Sequence, residues 1–204
     1  MTRAPAFSRL LLVLTLMLVT ASAAAAPATP AATVEKLHAT LLETMKEGST
    51  LGYTGRVARI GPVLDETFNF ETIGRVVTGR HWKALASDKR DAFLATFRQL
   101  STATYADNFS SFGGEAFKTL GEEIKKGAAL VRTQIVKTDG KTVSLNYVLN
   151  KSGDQWRIVN VIAEGVSDLA LKRSEYGAVI GKEGIDALIA KLEAKIASYA
   201  TKNK

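Results

Sequence analysis

The residue types that carry most protein chemistry are scarce in this sequence. The chain has no cysteine and only two histidines, His38 and His81. Without cysteine there is no thiol nucleophile, disulfide or zinc–thiolate site. No His-x-x-x-His or Cys-x-x-Cys spacing occurs either, and such spacings are typical of transition-metal sites. We therefore predict neither a metal ion nor a cofactor, and we interpret His38 as a partly exposed structural histidine.

Carboxylate pairs and one tyrosine are the remaining candidates for catalysis. Glu122 and Glu123 are neighbours in a predicted strand, so their side chains would point to opposite faces. Asp88 and Asp91 lie in the first turn of a predicted helix, where their negative charge interacts favourably with the helix dipole. We interpret both pairs as solvent-exposed charged residues and assign no catalytic residue. Tyr147, in an apolar strand, leaves open a small isomerase-like enzyme of the cone-shaped α+β type.

The amino terminus has the composition of a cleavable secretory signal. Two arginines precede an apolar run over 10–19, which is shorter than the about 20 residues needed to span a bilayer. Small residues follow, and Ala21-Ser22-Ala23 is the predicted recognition triplet for signal peptidase. We predict a signal peptide over 1–23 and a mature protein that works outside the cytoplasm. An uncleaved anchor helix is the alternative.

The rest of the chain has the length of one domain. Residues 24–32 are rich in alanine and proline and predict a linker, and 33–204 predict a single domain. Lysine and arginine number 27 against 20 acidic residues. This excess of basic residues is compatible with binding to an anionic surface but does not indicate nucleic-acid binding, so we predict no nucleic-acid partner.

Apolar residues recur at intervals of three and four on both sides of a central segment and predict helices there. Thr33 is the predicted N-cap of the first helix, which ends near Gly48, and Ser87 is the predicted N-cap of the longest one. Pro62 is expected to kink or divide the second helix. The remaining helices are predicted over 57–68, 70–77, 167–179 and from 185 onward.

The central segment alternates with a period of two and predicts strands over 117–124, 130–137, 142–150 and 155–163. Asp139-Gly140 provides a tight hairpin turn, so the strands form an antiparallel meander. In the last strand we expect Trp156 and Ile158 on one face and Val159 and Val161 on the other, with both faces covered. The predicted fold class is α+β: N-terminal helices, a curled antiparallel sheet of three to four strands and C-terminal helices, together enclosing an apolar cavity.

Several motifs resemble one known family. They are Gly79-Arg80-His81-Trp82, the Trp156-Arg157 strand, and Glu164-Gly165-Val166-Ser167 leading to Arg173-Ser174-Glu175-Tyr176. With the long helix from Ser87, they resemble the MlaC, or toluene-tolerance, family of periplasmic lipid-binding proteins over nearly the whole mature chain. Asn69 and Asn160 stand where many members carry Asp, and His81 replaces a common aromatic residue. These departures favour the hopanoid-associated (HpnM) branch.

The resemblance implies a non-enzymatic, soluble periplasmic lipid carrier. Such a carrier shuttles phospholipid or hopanoid between the outer membrane and an inner-membrane ABC transporter complex, and an outer-membrane lipoprotein complex is its other partner. A hopanoid-biosynthesis accessory protein without cargo is a further alternative. Moving an acyl chain of about 16 methylenes out of water is favourable by roughly 0.8 kcal/mol per methylene, or on the order of 13 kcal/mol in total. A carrier therefore needs a deep apolar cavity to hold the chain.

We predict the wall of this cavity from apolar residues of the long helix, the sheet and the segment after it. These lipid-binding candidates are Phe93, Phe97, Leu100, Val131, Tyr147, Ile158, Val166 and Leu169. Arg80, Arg157 and Arg173 are predicted to meet a phosphate headgroup or the acidic face of a partner. Structural ion pairs are the alternative role for these three arginines.

Overall fold

The computed structural model describes residues 1–2 and 29–202. Residues 3–23 of the predicted signal peptide, its cleavage site and residues 24–28 of the predicted linker lie outside the described residues. The helices are α1 Pro30–Lys46, α2 Gly48–Thr67, α3 Phe70–Thr78, α4 Ser87–Asn108, α5 Asp168–Glu183 and α6 Ile185–Lys202, and a 3-10 helix spans Gly79–Ala84. The strands are β1 Ala116–Lys125, β2 Ala128–Val136, β3 Thr142–Ser152, β4 Gln155–Ala163 and β5 Val166–Ser167.

Two helices begin differently from the prediction. The cap of α1 is Thr29, whose hydroxyl accepts from the Ala32 N–H at 3.1 Å, and Pro30 occupies the first turn. The predicted cap, Thr33, lies inside the helix and its hydroxyl donates to a carbonyl of β4 at 3.1 Å. Residues 30–32 are therefore helical rather than part of a linker. Ser87 is also not a cap, because it is the first residue of α4 and the capping position is Ala86.

The backbone of α2 is interrupted at a residue that was not predicted. Gly52 has φ 59° and ψ −175°, which interrupts the helix near its start. Glycine reaches this positive φ without the steric cost of a Cβ. Pro62 stays inside the helix that follows. The helix is therefore not divided at Pro62.

The predicted α+β class and the antiparallel meander are confirmed. The strands lie in the order β1-β2-β3-β4-β5, and each pairs antiparallel with the next. Gly140, with φ 80°, completes the turn between β2 and β3. The fifth strand has two residues, and the sheet is not closed. Helices precede and follow the sheet in sequence, as the period of the apolar residues indicates.

A β-bulge in β4 changes which side chains face the helices. The register shifts between Val148 and Leu149, which leaves Val159 without a partner in β3. Beyond the bulge, Val161 lies opposite Tyr147, which is fully buried. Both valines of β4 pack against the core. The expectation that Val161 lies on the face opposite Ile158 was wrong, because it assumed an unbroken alternation along the strand.

The core lies between the sheet and the helices. α2 and α6 pack on α4, α3 packs on α5, and α5 also contacts β4. Within the described ranges, no helix is long and apolar enough to cross a membrane.

Candidate ligand cavity

An apolar cavity of about 250 Å³ lies between α2, α3, α4, α5 and the second half of β4. This volume is close to the lower end of the roughly 300–1,000 Å³ typical of ligand pockets. Aromatic rings form much of its wall: Phe68, Phe70, Phe97, Tyr105 and Phe109. Their centroids lie 5.7 Å apart for Phe68 and Phe70 and 6.0 Å apart for Phe70 and Phe97. The cavity is therefore suited to an apolar ligand.

The corner between α2 and α3 is fixed to the sheet by its backbone. Phe68 forms an isolated parallel bridge with Ile158, and the Asn69 N–H donates to the Ile158 carbonyl at 2.9 Å. The Asn69 side chain also caps α3 by accepting from the Thr72 N–H at 3.0 Å. These contacts hold Phe68 and Phe70 on the inner side of the corner, where both line the cavity.

The start of α5 is fixed to β4 in a similar way. The Asn160 side-chain oxygen accepts from the Ser167 hydroxyl and from the Leu169 N–H, each at 3.1 Å. Ser167 in turn accepts from the Ala170 N–H at 3.1 Å and is the N-cap of α5. This network places Leu169 in the cavity wall.

Polar groups collect on the part of the lining formed by α4, β4 and α5. They are Ser101, Thr104, Asn108, Asn160, Asp168 and Lys172. Lys172 forms an ion pair with Asp168 one turn earlier on α5. Burial raises the pKa of the Tyr105 phenol, and the negative charge of Asp168 adds to that rise. An amphiphile could thus keep its apolar part among the rings and its polar part near α5.

The predicted wall residues occupy three kinds of position. Phe97, Leu100 and Leu169 line the cavity. Four others are fully buried in the core and are not among its lining residues: Phe93, Val131, Tyr147 and Ile158. Val166 is 53% exposed, because it lies in the two-residue edge strand β5. The apolar patterns indicate burial correctly for the residues other than Val166, but they do not separate core from cavity.

Other lining residues were missed by sequence reasoning. Phe68 and Phe70 flank a helix boundary, where no periodic pattern marks them as facing one site. Tyr105 and Asn108 continue the stripe that begins at Phe97 on α4, at intervals typical of one helix face. Extending that stripe to the end of α4 would have identified them.

Tyr147 does not occupy a catalytic position in this cavity. Its hydroxyl lies 2.9 Å from Nε2 of His38, and both side chains are buried. The His38 ring stacks on Phe117 at 4.2 Å. Burial lowers the pKa of His38 from 6.5 to about 4 and raises that of Tyr147. His38 is thus buried rather than partly exposed, and the pair joins α1 to the sheet.

The structure brings two of the three predicted arginines together. Arg80, on the 3-10 helix, and Arg173, on α5, line one open pocket of about 410 Å³ with His81 and Ser174. Among the described residues, neither arginine has an acidic partner within ion-pair distance. Arg157 lies apart from them on β4, where it donates to the Gln155 side chain at 3.1 Å.

The fold and the cavity define a class: α+β proteins whose helices and antiparallel sheet enclose an apolar ligand pocket. Within that class, the chain belongs to the MlaC protein family, whose profile matches residues 35–194. The family resemblance drawn from the sequence motifs is confirmed.

Two known proteins illustrate the similarity. The intermembrane phospholipid transport system binding protein MlaC of Haemophilus influenzae is 28% identical over 134 residues, which is 61% of this chain. The chain spans 61% of the length of that relative. A solved structure of a phospholipid-binding protein from Ralstonia solanacearum, in complex with a phospholipid, has a TM-score of 0.71. At 20% identity it covers 83% of this chain and 97% of its own, and it shows the same fold.

Proposed function

We propose that this protein is a periplasmic phospholipid carrier whose cargo places its acyl chains in the aromatic cavity. The observation that carries the proposal is an apolar cavity with a polar lining on one side, in a fold shared with a protein solved with a phospholipid. The name of the Haemophilus influenzae relative supports the same cargo. The chain is then a binding protein and not an enzyme.

Membership of the family supports a wider role in the same proposal. The signal peptide exports the protein to the periplasm, and the carrier moves lipid between an outer-membrane lipoprotein complex and an inner-membrane ABC transporter complex. Apolar transfer energies on the order of 13 kcal/mol for one acyl chain make spontaneous release into water slow, so delivery requires a membrane-bound acceptor. The open pocket at Arg80 and Arg173 is our proposed contact with that acceptor.

The cargo is tested by purifying the protein from a Gram-negative host that makes both phospholipids and hopanoids. Bound lipid is extracted and counted by mass spectrometry. We expect about one phospholipid per protein. Hopanoid at that ratio would instead identify the hopanoid-associated branch, and a protein free of lipid even after incubation with phospholipid vesicles would contradict the carrier function and favour an accessory protein or an enzyme.

A further inference from the structure

One hydroxyl in the lining of the aromatic cavity makes no hydrogen bond within the described part of the chain. The hydroxyls of the lining belong to Ser101, Thr104 and Tyr105 of α4. Ser101 donates to the Phe97 carbonyl at 2.9 Å, and Thr104 donates to the Leu100 carbonyl at 2.8 Å. The Tyr105 hydroxyl has no partner among the described residues. Because unpaired polar groups are uncommon in protein interiors, this hydroxyl points to a ligand.

The Tyr105 side chain lies where the apolar and polar parts of the lining meet. The centroid of its ring is 5.9 Å from that of Phe68 and 5.7 Å from that of Phe109. Asn108, one turn later on α4, belongs to the polar part of the lining. The two neighbouring rings hold the phenol at this boundary.

The Tyr105 hydroxyl is available as a hydrogen-bond donor at neutral pH. Burial raises the pKa of the phenol above its ordinary value, and the negative charge of Asp168 adds to that rise, so the proton is retained. Among the described residues, the enclosed side-chain atom without a partner is Nε of Arg157. The Tyr105 oxygen is therefore unpaired without being sealed in the core, and a molecule in the cavity can reach it.

A diacyl phospholipid carries acceptors at the matching boundary. Its ester carbonyls lie between the acyl chains and the headgroup. Burial of a carbonyl that loses its hydrogen bonds to water costs free energy unless a new donor replaces them. A cavity that encloses the chains as far as the glycerol therefore needs a donor at the edge of its apolar part.

We infer that the Tyr105 hydroxyl donates a hydrogen bond to an ester carbonyl of the cargo and makes the cavity prefer ester-linked to ether-linked glycerolipids. The inference rests on the proposed phospholipid function and specifies how the acyl chains of the cargo are linked. An ether-linked lipid has no carbonyl and leaves the hydroxyl unpaired. The contact lies below the headgroup, so it does not distinguish phospholipids that differ in the headgroup alone.

The test is competitive loading. The protein, stripped of lipid, is equilibrated with vesicles of equal amounts of diacyl and dialkyl phosphatidylethanolamine with chains of equal length, and the ratio of bound lipids is measured by mass spectrometry. We expect the parent to prefer the diacyl lipid by about fivefold, the ratio expected of one neutral hydrogen bond. Tyr105→Phe removes only the hydroxyl and should bring the ratio to about one. Without lipid, this variant should unfold at the same urea concentration as the parent, because the hydroxyl has no partner in the described protein.

Tyr176→Phe is the matched control. Tyr176, on α5, is 2% exposed and its ring packs on Phe97 with centroids 6.2 Å apart, but it is not among the lining residues. Removal of its hydroxyl should keep the preference of the parent. A parent that binds both lipids equally, or a Tyr105→Phe variant with the preference of the parent, would overturn the ester contact and leave the carrier function intact. No uptake of either lipid by the parent would overturn both.

Discussion

At the residue scale, the separation of core from cavity has direct consequences for mutation. Leu169 is half-buried and lines the cavity, whereas Leu171 on the same helix is 58% exposed. Val131, predicted for the cavity wall, is fully buried between strands. An aspartate at Val131 would therefore damage folding as well as binding, and it is a poor test of the cavity.

Leu169→Asp should remove bound lipid from a folded protein. A carboxylate in the wall keeps its water while the cavity is empty but must be desolvated or protonated when an acyl chain enters. The effective penalty for burying an ion is several kcal/mol, so we expect lipid occupancy to fall by more than about tenfold. Occupancy is measured by mass spectrometry after purification. Leu171→Asp is the control, and equal lipid content in both variants would remove Leu169 from the wall.

His38 makes the stability of the fold depend on pH. Its pKa is about 4 in the folded protein against 6.5 when unfolded. As pH falls from 6.5 toward 4, the unfolded chain takes up a proton that the folded one excludes, so stability is lost over this window. The shift corresponds to about 3 kcal/mol of unfolding free energy.

Urea unfolding at pH 7 and pH 4 checks this dependence. The glutamine variant His38→Gln keeps a hydrogen-bonding group near Tyr147 but cannot titrate, so it should lose about 2 to 3 kcal/mol less than the parent over that interval. A parent and a His38→Gln variant with the same pH dependence would mean that His38 is solvated in the folded state.

At the element scale, the periodic pattern of apolar residues predicts the helices and strands, whereas single local irregularities of the backbone are missed. In the described part of the chain, the period of apolar residues locates six helices and four of the five strands, although α2 begins at Gly48 and not near residue 57. The kink at Gly52 and the bulge at Val159 are single local departures from that period, and neither residue type marks its position uniquely. The bulge matters most for the site, because it turns Val159 and Val161 toward the cavity.

The two asparagines that depart from the family pattern have structural roles. Asn69 caps α3 and Asn160 holds the first turn of α5. A carboxylate at either position could accept the same hydrogen bonds. The substitutions therefore do not in themselves indicate a different cargo, and assignment to the hopanoid-associated branch stays a prediction.

Removing the Asn160 acceptor should loosen α5. We expect Asn160→Ala to lower the free energy of unfolding by about 1 to 2 kcal/mol, because the Leu169 N–H loses its partner and the Ser167 hydroxyl loses an acceptor. Asn160→Asp keeps an oxygen in place and should retain most of the stability. Chemical denaturation of both variants gives the two differences. Equal losses for alanine and aspartate would show that the amide, rather than an acceptor oxygen, is required.

At the scale of the whole molecule, the cavity depends on contacts between distant parts of the chain. Its lining combines α2, α3 and α4 with β3, β4 and α5. The sequence predicts the layers and an apolar ligand, but the bridge between Phe68 and Ile158 is a long-range contact that no local pattern indicates. The location of the cavity could therefore not be predicted from the sequence and required the three-dimensional structure.

The same long-range folding brings Arg80 and Arg173 into one pocket, where each can attract an acidic surface. Exposed charges that steer an encounter mainly change its association rate and lose their effect with salt.

If these arginines contact the membrane-bound acceptor, Arg80→Glu and Arg173→Glu should each slow the transfer of radiolabelled phospholipid from loaded protein to inner-membrane vesicles, by about threefold to tenfold at low salt. Raising the ionic strength should narrow the difference from the parent, because screening weakens attraction and repulsion alike. Arg132→Glu is the control, since Arg132 pairs with Glu123 on the sheet at 3.6 Å. Transfer rates indifferent to both reversals and to salt would place the contact on another surface.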